Sequence, residues 1–524
     1  MASSTCRHLL VVLVLCSWAT LIAAEEKAPP LADSTLLALV SGNALSENIA
    51  HEIESSGLAF TPTESYRSQL TIAGADARVL AALSQAKITP SSTKTESKPS
   101  LKLLEHLALA GKLIRTQQYE QATTELNSAL QAGASPEADF VMGELLRRQE
   151  QWPTAASVFE GILKKDPSFP EAHTKFSYLL YRLGDSEECL RQAKAALARN
   201  PDNAEAHKNA GLAFQIMRKF DAATAEYKEA LRIKPDYDPV HYDLGILLYF
   251  KGDMEGSIAE YKKSLALNPD DTDTHVNLGI AFDEKSDISS AVREYREAKR
   301  LDPKNVAARQ YLGSALTHAH LYAEAVVEFR ELEAMAPDSA VCHICMGSAL
   351  HNTGDLAGAA QEYRKAAELD PSDPLPHVRL GAVREDQKNY EAALEEYHLA
   401  EQLDDRESEA HRNAGRALIA TKEFAKALVE LKCAEDLQPS DWLTHDLYAQ
   451  ALLASGELNS AISEFNEAIS LSEKEHGDSS PQVVSTLKSL SQALRGLGRR
   501  QEALAIDQRI KAIEATAMNQ NSEP

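Results

Sequence analysis

The decapeptide HYDLGILLYF (residues 241–250) sits between two polar turns, KPDYDPV (234–240) and KGDMEGS (251–257). Wound as a helix it is apolar nearly all round, whereas a helix on the surface of a soluble protein usually buries a single stripe. One apolar face can be assigned to a core, and the second needs an account of its own. Moving outward in steps of 34 residues supplies the first half of the answer. Gly245 has counterparts at Gly211, Gly279, Gly313, Gly347, Gly381 and Gly415. Pro167, Pro201, Pro235, Pro269, Pro303, Pro337, Pro371 and Pro439 share the same spacing, with Asp405 the only interruption. Self-similarity at a fixed period of this size marks a repeat architecture.

Each unit carries further regular features. Ala223, Ala291, Ala325, Ala359, Ala393, Ala427 and Ala461 recur, and in most units a large ring follows four residues later, as in Tyr227, Tyr261, Tyr295, Phe329, Tyr363, Tyr397 and Phe465. Small residues let two helices approach closely, and the ring fills the space beside them. A unit therefore reads as two amphipathic helices of about a dozen residues. They are joined by a turn such as KGD or TGD and closed by a proline that cannot continue a helix.

With these residues in place the chain resembles the tetratricopeptide repeat family over about residues 103–517, with the units from Pro136 to Glu475 running without an insertion. The last unit, beginning LSEKEHGDSSPQ, resembles the longer kinesin-light-chain type. The resemblance implies an all-α fold: a right-handed α-solenoid superhelix of about 12 repeats whose pairs bury their apolar faces only by stacking on neighbours. It also implies a concave groove lined by the first helix of each unit.

The flanks do not follow the period. MASSTCRHLL with one Arg, the apolar run LLVVLVLCSWATLIAA and the following EEK have the layout of a secretory signal over residues 1–24. The run from Leu9 to Ala24 falls short of the roughly 20 residues that span a bilayer. Residues 25–33 then form a mature N-terminal tail. Residues 34–88 read as a small helical domain with Ser46 and Thr63 as N-caps and Gly57 and Gly74 as stops. A flexible linker follows over 89–102, and 518–524 reads as a disordered tail. The expected location is the periplasm or the exterior.

Chemistry is constrained mainly by what the residues disfavour. A formal net charge of −24 argues against nucleic acid and against anionic lipid, and favours protein partners with basic patches. After signal cleavage no membrane insertion is expected. His106, His173, His207, His241, His275, His343, His377, His411 and His445 hold one place in their units. Equivalent helices stack about 8–10 Å apart, too far for neighbouring members of the ladder to share an ion. They read as half-buried packing residues that would loosen the stack on charging near pH 6. Cys189, Cys342, Cys345 and Cys433 are too few and scattered for a disulfide framework and read as structural thiols, Cys189 and Cys433 in places suited to a buried small side chain. Phosphate-binding, metalloprotease, hydrolase and calcium-loop signatures are missing, so the chain reads as no enzyme, with no cofactor and no metal.

The second face of 241–250 points to function. Tyr242, Ile246, Tyr249 and Phe250 form one stripe at i, i+4, i+7 and i+8, and family resemblance places them on the concave surface. Tyr178, Tyr181, Leu212, Ile216, Val276 and Ile280 extend the stripe, with Arg182 and Lys208 able to orient an acidic group at its edge. The four side chains of the central helix could expose on the order of 500 Å². In related arrays an Asn on the inner helix holds a peptide backbone, and Asn209, Asn277 and Asn413 match that place. The expected function is an exported protein–protein interaction scaffold that binds an extended peptide or helix in this groove. In the competing picture the chain's own N-terminal segment lies there. The alternative function is an accessory or regulatory subunit of an envelope enzyme or assembly machine, with residues 34–88 binding a ligand or the enzyme.

Overall fold

The computed structural model describes residues 29–89, 101–132, 135–477 and 480–520. The expected signal sequence and nearly all of the linker lie outside the described residues. Among the described residues every regular element is helical, and two isolated bridges are the only extended pairing. The chain divides into two compact units, residues 1–253 and 254–524.

The N-terminal unit begins with four short helices, α1 (Asp33–Ser41), α2 (Ser46–Ser56), α3 (Glu64–Ala73) and α4 (Ala77–Gln85). Thr63 caps α3 by accepting from the Tyr66 amide, and Gly74 ends it in the left-handed region at φ 106°. Ser46 instead lies inside α2, with Leu45 at the cap position and no side-chain cap. The segment closes on itself where Leu58 bridges both Leu31 and Ile88. Helix pairs follow: α5 (Leu101–Arg115) with α6 (Tyr119–Ala132), α7 (Pro136–Arg148) with α8 (Trp152–Lys165), and α9 (Ala172–Arg182) with α10 (Ser186–Arg199). Next come α11 (Ala204–Ile216) with α12 (Phe220–Ile233), and finally α13 (Asp238–Phe250).

The expected small domain is not a separate core. Leu36, Leu37 and Leu39 of α1, Ile53 of α2, Leu70 of α3 and Val79 of α4 belong to the same buried cluster as Leu107 of α5, Phe140 of α7 and Phe159 of α8. Four helices of 9 to 11 residues cannot bury enough apolar area alone, and they obtain it from the repeats.

The C-terminal unit runs from the helix Met254–Leu267 to the helix Arg500–Gln520, which passes beyond the boundary expected at residue 517. The repeat chemistry is the same in both units. The inward alanines, such as Ala223, Ala291 and Ala325, are fully buried, and so are the rings of Tyr227, Tyr295 and Phe329. In most units the ring of the second helix lies directly on the glycine of the first: a Cβ added to Gly211 would be 2.5 Å from Tyr227 Cε1, and one added to Gly279 would be 2.5 Å from Tyr295 Cε1, while Leu431 takes the ring's place on Gly415. Gly279→Ala therefore forces helices apart in a close-packed interior and is expected to cost about 1–3 kcal/mol, to be read from urea unfolding monitored in the C-terminal unit. Gly184, Gly252, Gly354 and Gly456 share a left-handed turn position, 34 residues apart, with Arg218, Ser286, His320, Lys388 and Lys422. No described helix is long and apolar enough to cross a membrane.

Candidate functional site

In the N-terminal unit α2 lies against the turns that join one repeat to the next, at the starts of α9 and α11 and the ends of α10 and α12. Asn48, fully buried, donates from Nδ2 to Glu171 Oε2 and Asn203 Oδ1, both at 3.0 Å. Asn203 in turn donates to Glu171 Oε1 and Thr174 Oγ1 at 3.0 Å, and its own Oδ1 caps α11 by accepting from the Ala206 amide. Glu52, 2% exposed, accepts from one edge of the Arg199 guanidinium, with Nε and Nη2 each 2.8 Å from a carboxylate oxygen. Glu47 accepts from Lys234 at 3.0 Å and from Arg78 at 2.9 Å. Ahead of α2, the Asn43 carbonyl accepts from Lys175 Nζ at 3.0 Å, and Lys175 also pairs with Glu205. Leu45 packs on the apolar cluster that includes Leu212 and Leu244, against which Tyr178 and Tyr181 also rest.

The carboxyl groups in and around this contact are shifted by burial and by their charged neighbours. Burial, with the Glu205 charge added, pushes the Glu171 carboxyl up to about 7 against the pull of Lys175. Glu205 goes the other way: burial would raise it, but Lys175, Lys208 and Arg147 hold it below its ordinary value. Burial also pushes Asp243 of α13 up to about 7, with Lys208 opposing.

The twelve residues expected to line a partner-binding groove separate into different environments. Lys208 and Leu212 are buried, at 8% and 5% exposure. Lys208 Nζ lies 4.9 Å from the Tyr178 ring centre and 5.9 Å from that of Tyr237, so it serves the interior and does not orient a partner's acidic group from an edge. Arg182 is exposed but stacks 4.1 Å over Trp152 and reaches the Tyr178 hydroxyl at 3.3 Å. Tyr178, Tyr181, Tyr242, Ile246 and Tyr249 are half-buried. Ile216 and Phe250 stand out at 47% and 65% exposure. In the C-terminal unit Val276 is buried and Ile280 half-buried. Asn209 is fully buried and donates to the Thr174 carbonyl at 3.0 Å and to Ser177 Oγ at 2.8 Å. It ties α11 to α9 and is not offered to a peptide.

Sequence reasoning missed the residues that seat α2. Leu45, Glu47, Asn48 and Glu52 form no period and no motif, and their partners lie more than a hundred positions away.

Several tetratricopeptide repeat profiles match the chain: residues 146–210, 204–237, 247–285, 276–340, 347–388 and 442–513. The chain belongs to the tetratricopeptide repeat family. The profile at 442–513 is described only as a tetratricopeptide repeat, and the kinesin-light-chain likeness of the last unit finds no support there. No curated protein matches. Among solved structures, the yeast Tom70 aligns at 15% identity over 80% of this chain and 99% of its own, with a TM-score of 0.41. The Cut9–Hcn1 structure of the APC/C aligns at 15% over 75% and 97%, with a TM-score of 0.39. Residues 41 to the end of MamA from Desulfovibrio magneticus RS-1 align at 20% over 32% and 96%, with a TM-score of 0.32. These similarities illustrate the fold and carry no argument about partners. Membership of the family itself supports a protein–protein interaction scaffold.

The histidine ladder of this tetratricopeptide repeat protein is a series of clasps between the two helices of a unit. His207 Nδ1 is 2.7 Å from Glu226 Oε2 and its Nε2 is 3.0 Å from the Pro201 carbonyl. His275 repeats this with Glu294 at 2.9 Å and Pro269 at 3.1 Å. A carbonyl and an ionised carboxylate can only accept, so both contacts are hydrogen bonds at once only when the ring is an imidazolium donating from both nitrogens. In the unit where Arg309 replaces histidine, a permanent cation holds the same two acceptors, Glu328 at 3.0 Å and the Pro303 carbonyl at 3.1 Å. Burial lowers the His207 and His275 values, yet the carboxylate and carbonyl hydrogen bonds outweigh it and leave both above the ordinary histidine range. The expectation that charging loosens the stack therefore has the wrong sign.

The cysteines behave as buried thiols in all but one case. Burial pushes Cys189 and Cys342 up to about 12 and raises Cys345 as well, so none is a ready thiolate at neutral pH. Cys433, expected inside, is exposed, because its position on the second helix falls on the outer side. The acidic NPDDTDTH stretch is an inter-repeat turn in which Asp271 caps the next helix by accepting from the Thr274 amide at 3.0 Å.

Proposed function

We propose that the protein is an exported scaffold that holds a helix or extended segment of a partner protein on the inner face of its repeats. The observation that carries this reading is the pair Ile216 and Phe250, at 47% and 65% exposure. They occupy the same place, five residues after Gly211 and Gly245, on α11 and α13. Large apolar side chains left uncovered at equivalent places on successive inner helices are a mark of an interaction surface. The formal charge of −24 favours a partner whose apolar anchors are flanked by basic residues.

Export rests on residues 1–24, and a bacterial periplasm or cell surface is the proposed location. N-terminal sequencing of the protein from the envelope fraction is expected to begin near Glu25. The alternative, in which residues 34–88 bind a ligand or an envelope enzyme, is weakened by the way these helices spend their apolar side chains and the polar face of α2 on the repeats.

A photo-crosslinking residue placed at 250 in the full chain tests the groove in cells. One dominant protein adduct is expected, missing when the same residue is placed at exposed position 228 and strongly reduced by Ile216→Asp. Identical adducts from positions 228 and 250 would reject this surface.

A further inference from the structure

We infer that the C-terminal unit carries a binding site for a divalent transition-metal ion of the zinc class, formed by His398, Glu401, His411 and Glu430. His398 and Glu401 lie on the helix Tyr390–Leu403, His411 on the helix Ser408–Ala420, and Glu430 on the helix Phe424–Leu437. One nitrogen or oxygen from each of His398, Glu401 and Glu430 lies within 4.8 Å of the others. His398 Nδ1 is 2.8 Å from Glu401 Oε2. His411 Nδ1 is 2.8 Å from Glu430 Oε2 and 3.4 Å from Glu401 Oε1. Glu401 Oε1 is buried and makes no hydrogen bond.

This arrangement differs from the clasps elsewhere in the array. Two imidazoles face two carboxylates, and among the described residues no Lys or Arg pairs with Glu401 or Glu430. At the corresponding place next to His343, by contrast, Glu333 is taken by Lys365. A dication would neutralise both carboxylates at once, and it needs the imidazoles deprotonated, so metal and protons compete for the same atoms.

Bonds of about 2.0–2.2 Å in a tetrahedron place ligand atoms about 3.4 Å apart. The hydrogen-bonded pairs would open by about half an ångström, the His398, Glu401 and Glu430 atoms, within 4.8 Å of one another, would draw together, and His411, already in reach of Glu401 and Glu430, would swing inward to join them. Two nitrogens with two carboxylate oxygens suit zinc and its transition-metal neighbours, whereas magnesium and calcium prefer oxygen alone. Glu401, His411 and Glu430 are largely buried at 14%, 13% and 18% side-chain exposure, while His398 at 47% leaves an entry path. His398 is not a member of the periodic ladder. It comes from the second helix of the preceding unit, which is how the site escapes the spacing that keeps equivalent histidines too far apart. An ion here would join three helices from two successive repeats. The same three places recur as Glu435, His445 and Glu464 one repeat on, without a second imidazole.

Titration calorimetry of the EDTA-treated full chain with zinc chloride, and in parallel with magnesium chloride, tests this. One tight zinc equivalent and a zinc-dependent rise in melting temperature are expected, with neither effect from magnesium. His398→Ala and Glu401→Gln are each expected to weaken zinc binding about tenfold or more. Metal-free melting temperatures of both variants, measured alongside, separate a folding defect from the loss of zinc. No tight zinc equivalent, or a zinc affinity unchanged in either variant, would overturn the site.

Discussion

Glu52→Ala is expected to destabilise the N-terminal unit by about 3 kcal/mol and to release α2 from the inter-repeat turns it rests on. The wild-type pair is bidentate, with both Arg199 contacts at 2.8 Å, and Glu52 is 2% exposed. Removing one partner of a buried ion pair strands the other and costs about 3–5 kcal/mol. Arg199 keeps 26% side-chain exposure, so water can reach part of its guanidinium and the lower end applies. Hydrogen exchange over residues 46–56 should accelerate strongly, while the C-terminal unit, which shares no part of this contact, should keep its protection. The double variant Glu52→Met, Arg199→Met is expected to recover much of the loss, because two apolar side chains of similar length leave no charge stranded. A single-variant effect below about 1 kcal/mol would mean that Leu45 and the α1 packing hold this segment without help from the ion pair.

Raising the pH from 6 to 8 is expected to lower the melting temperature, the reverse of what histidine charging would ordinarily suggest. His207 faces Glu226, the Pro201 carbonyl and the charge of Glu229, and His275 faces Glu294, the Pro269 carbonyl and the charge of Glu297. Both are raised in the folded state, so the stability they contribute is complete below about 6.5 and is lost as the pH climbs through the raised values. Glu171 and Asp243, each near 7 in the folded chain, also bind protons on folding and lose stability over the interval up to about 7, so their contribution has the same sign. Melting curves between pH 6 and 8 check the direction. Glu226→Gln and Glu294→Gln should flatten the slope, since a neutral amide no longer favours the imidazolium. A melting temperature that is higher at pH 8 would reject the clasp.

Much of the fold was legible because repeat packing is local and periodic. The spacing of Gly211 and Tyr227 within a unit, and of Gly211 and Gly245 between units, announces helix pairs and their register before any coordinates. The stop at Gly74 and the cap at Thr63 follow from backbone conformation and hydrogen-bonding capacity in the same direct way. Cys433 and Lys208 were misjudged for a common reason: a small or cationic side chain is compatible with either side of a helix, and only its neighbours decide which side is wet.

The candidate site was legible only in part. The stripe centred on α13 could be drawn from spacing, but which of its members are exposed, Phe250 and Ile216 among them, and which are half-buried depends on the packing of neighbouring helices. The distinction has a physical basis. The sequence by itself determined the helix pairs, their order and the ring-on-glycine packing, since those contacts join residues within one or two periods. Only the tertiary structure decided that Glu52 meets Arg199 across 147 positions, that the ladder histidines sit between two acceptors, and that His398 comes within 4.8 Å of Glu430 in the next unit. Such contacts depend on where non-equivalent side chains converge in space, and no spacing along the chain encodes that convergence.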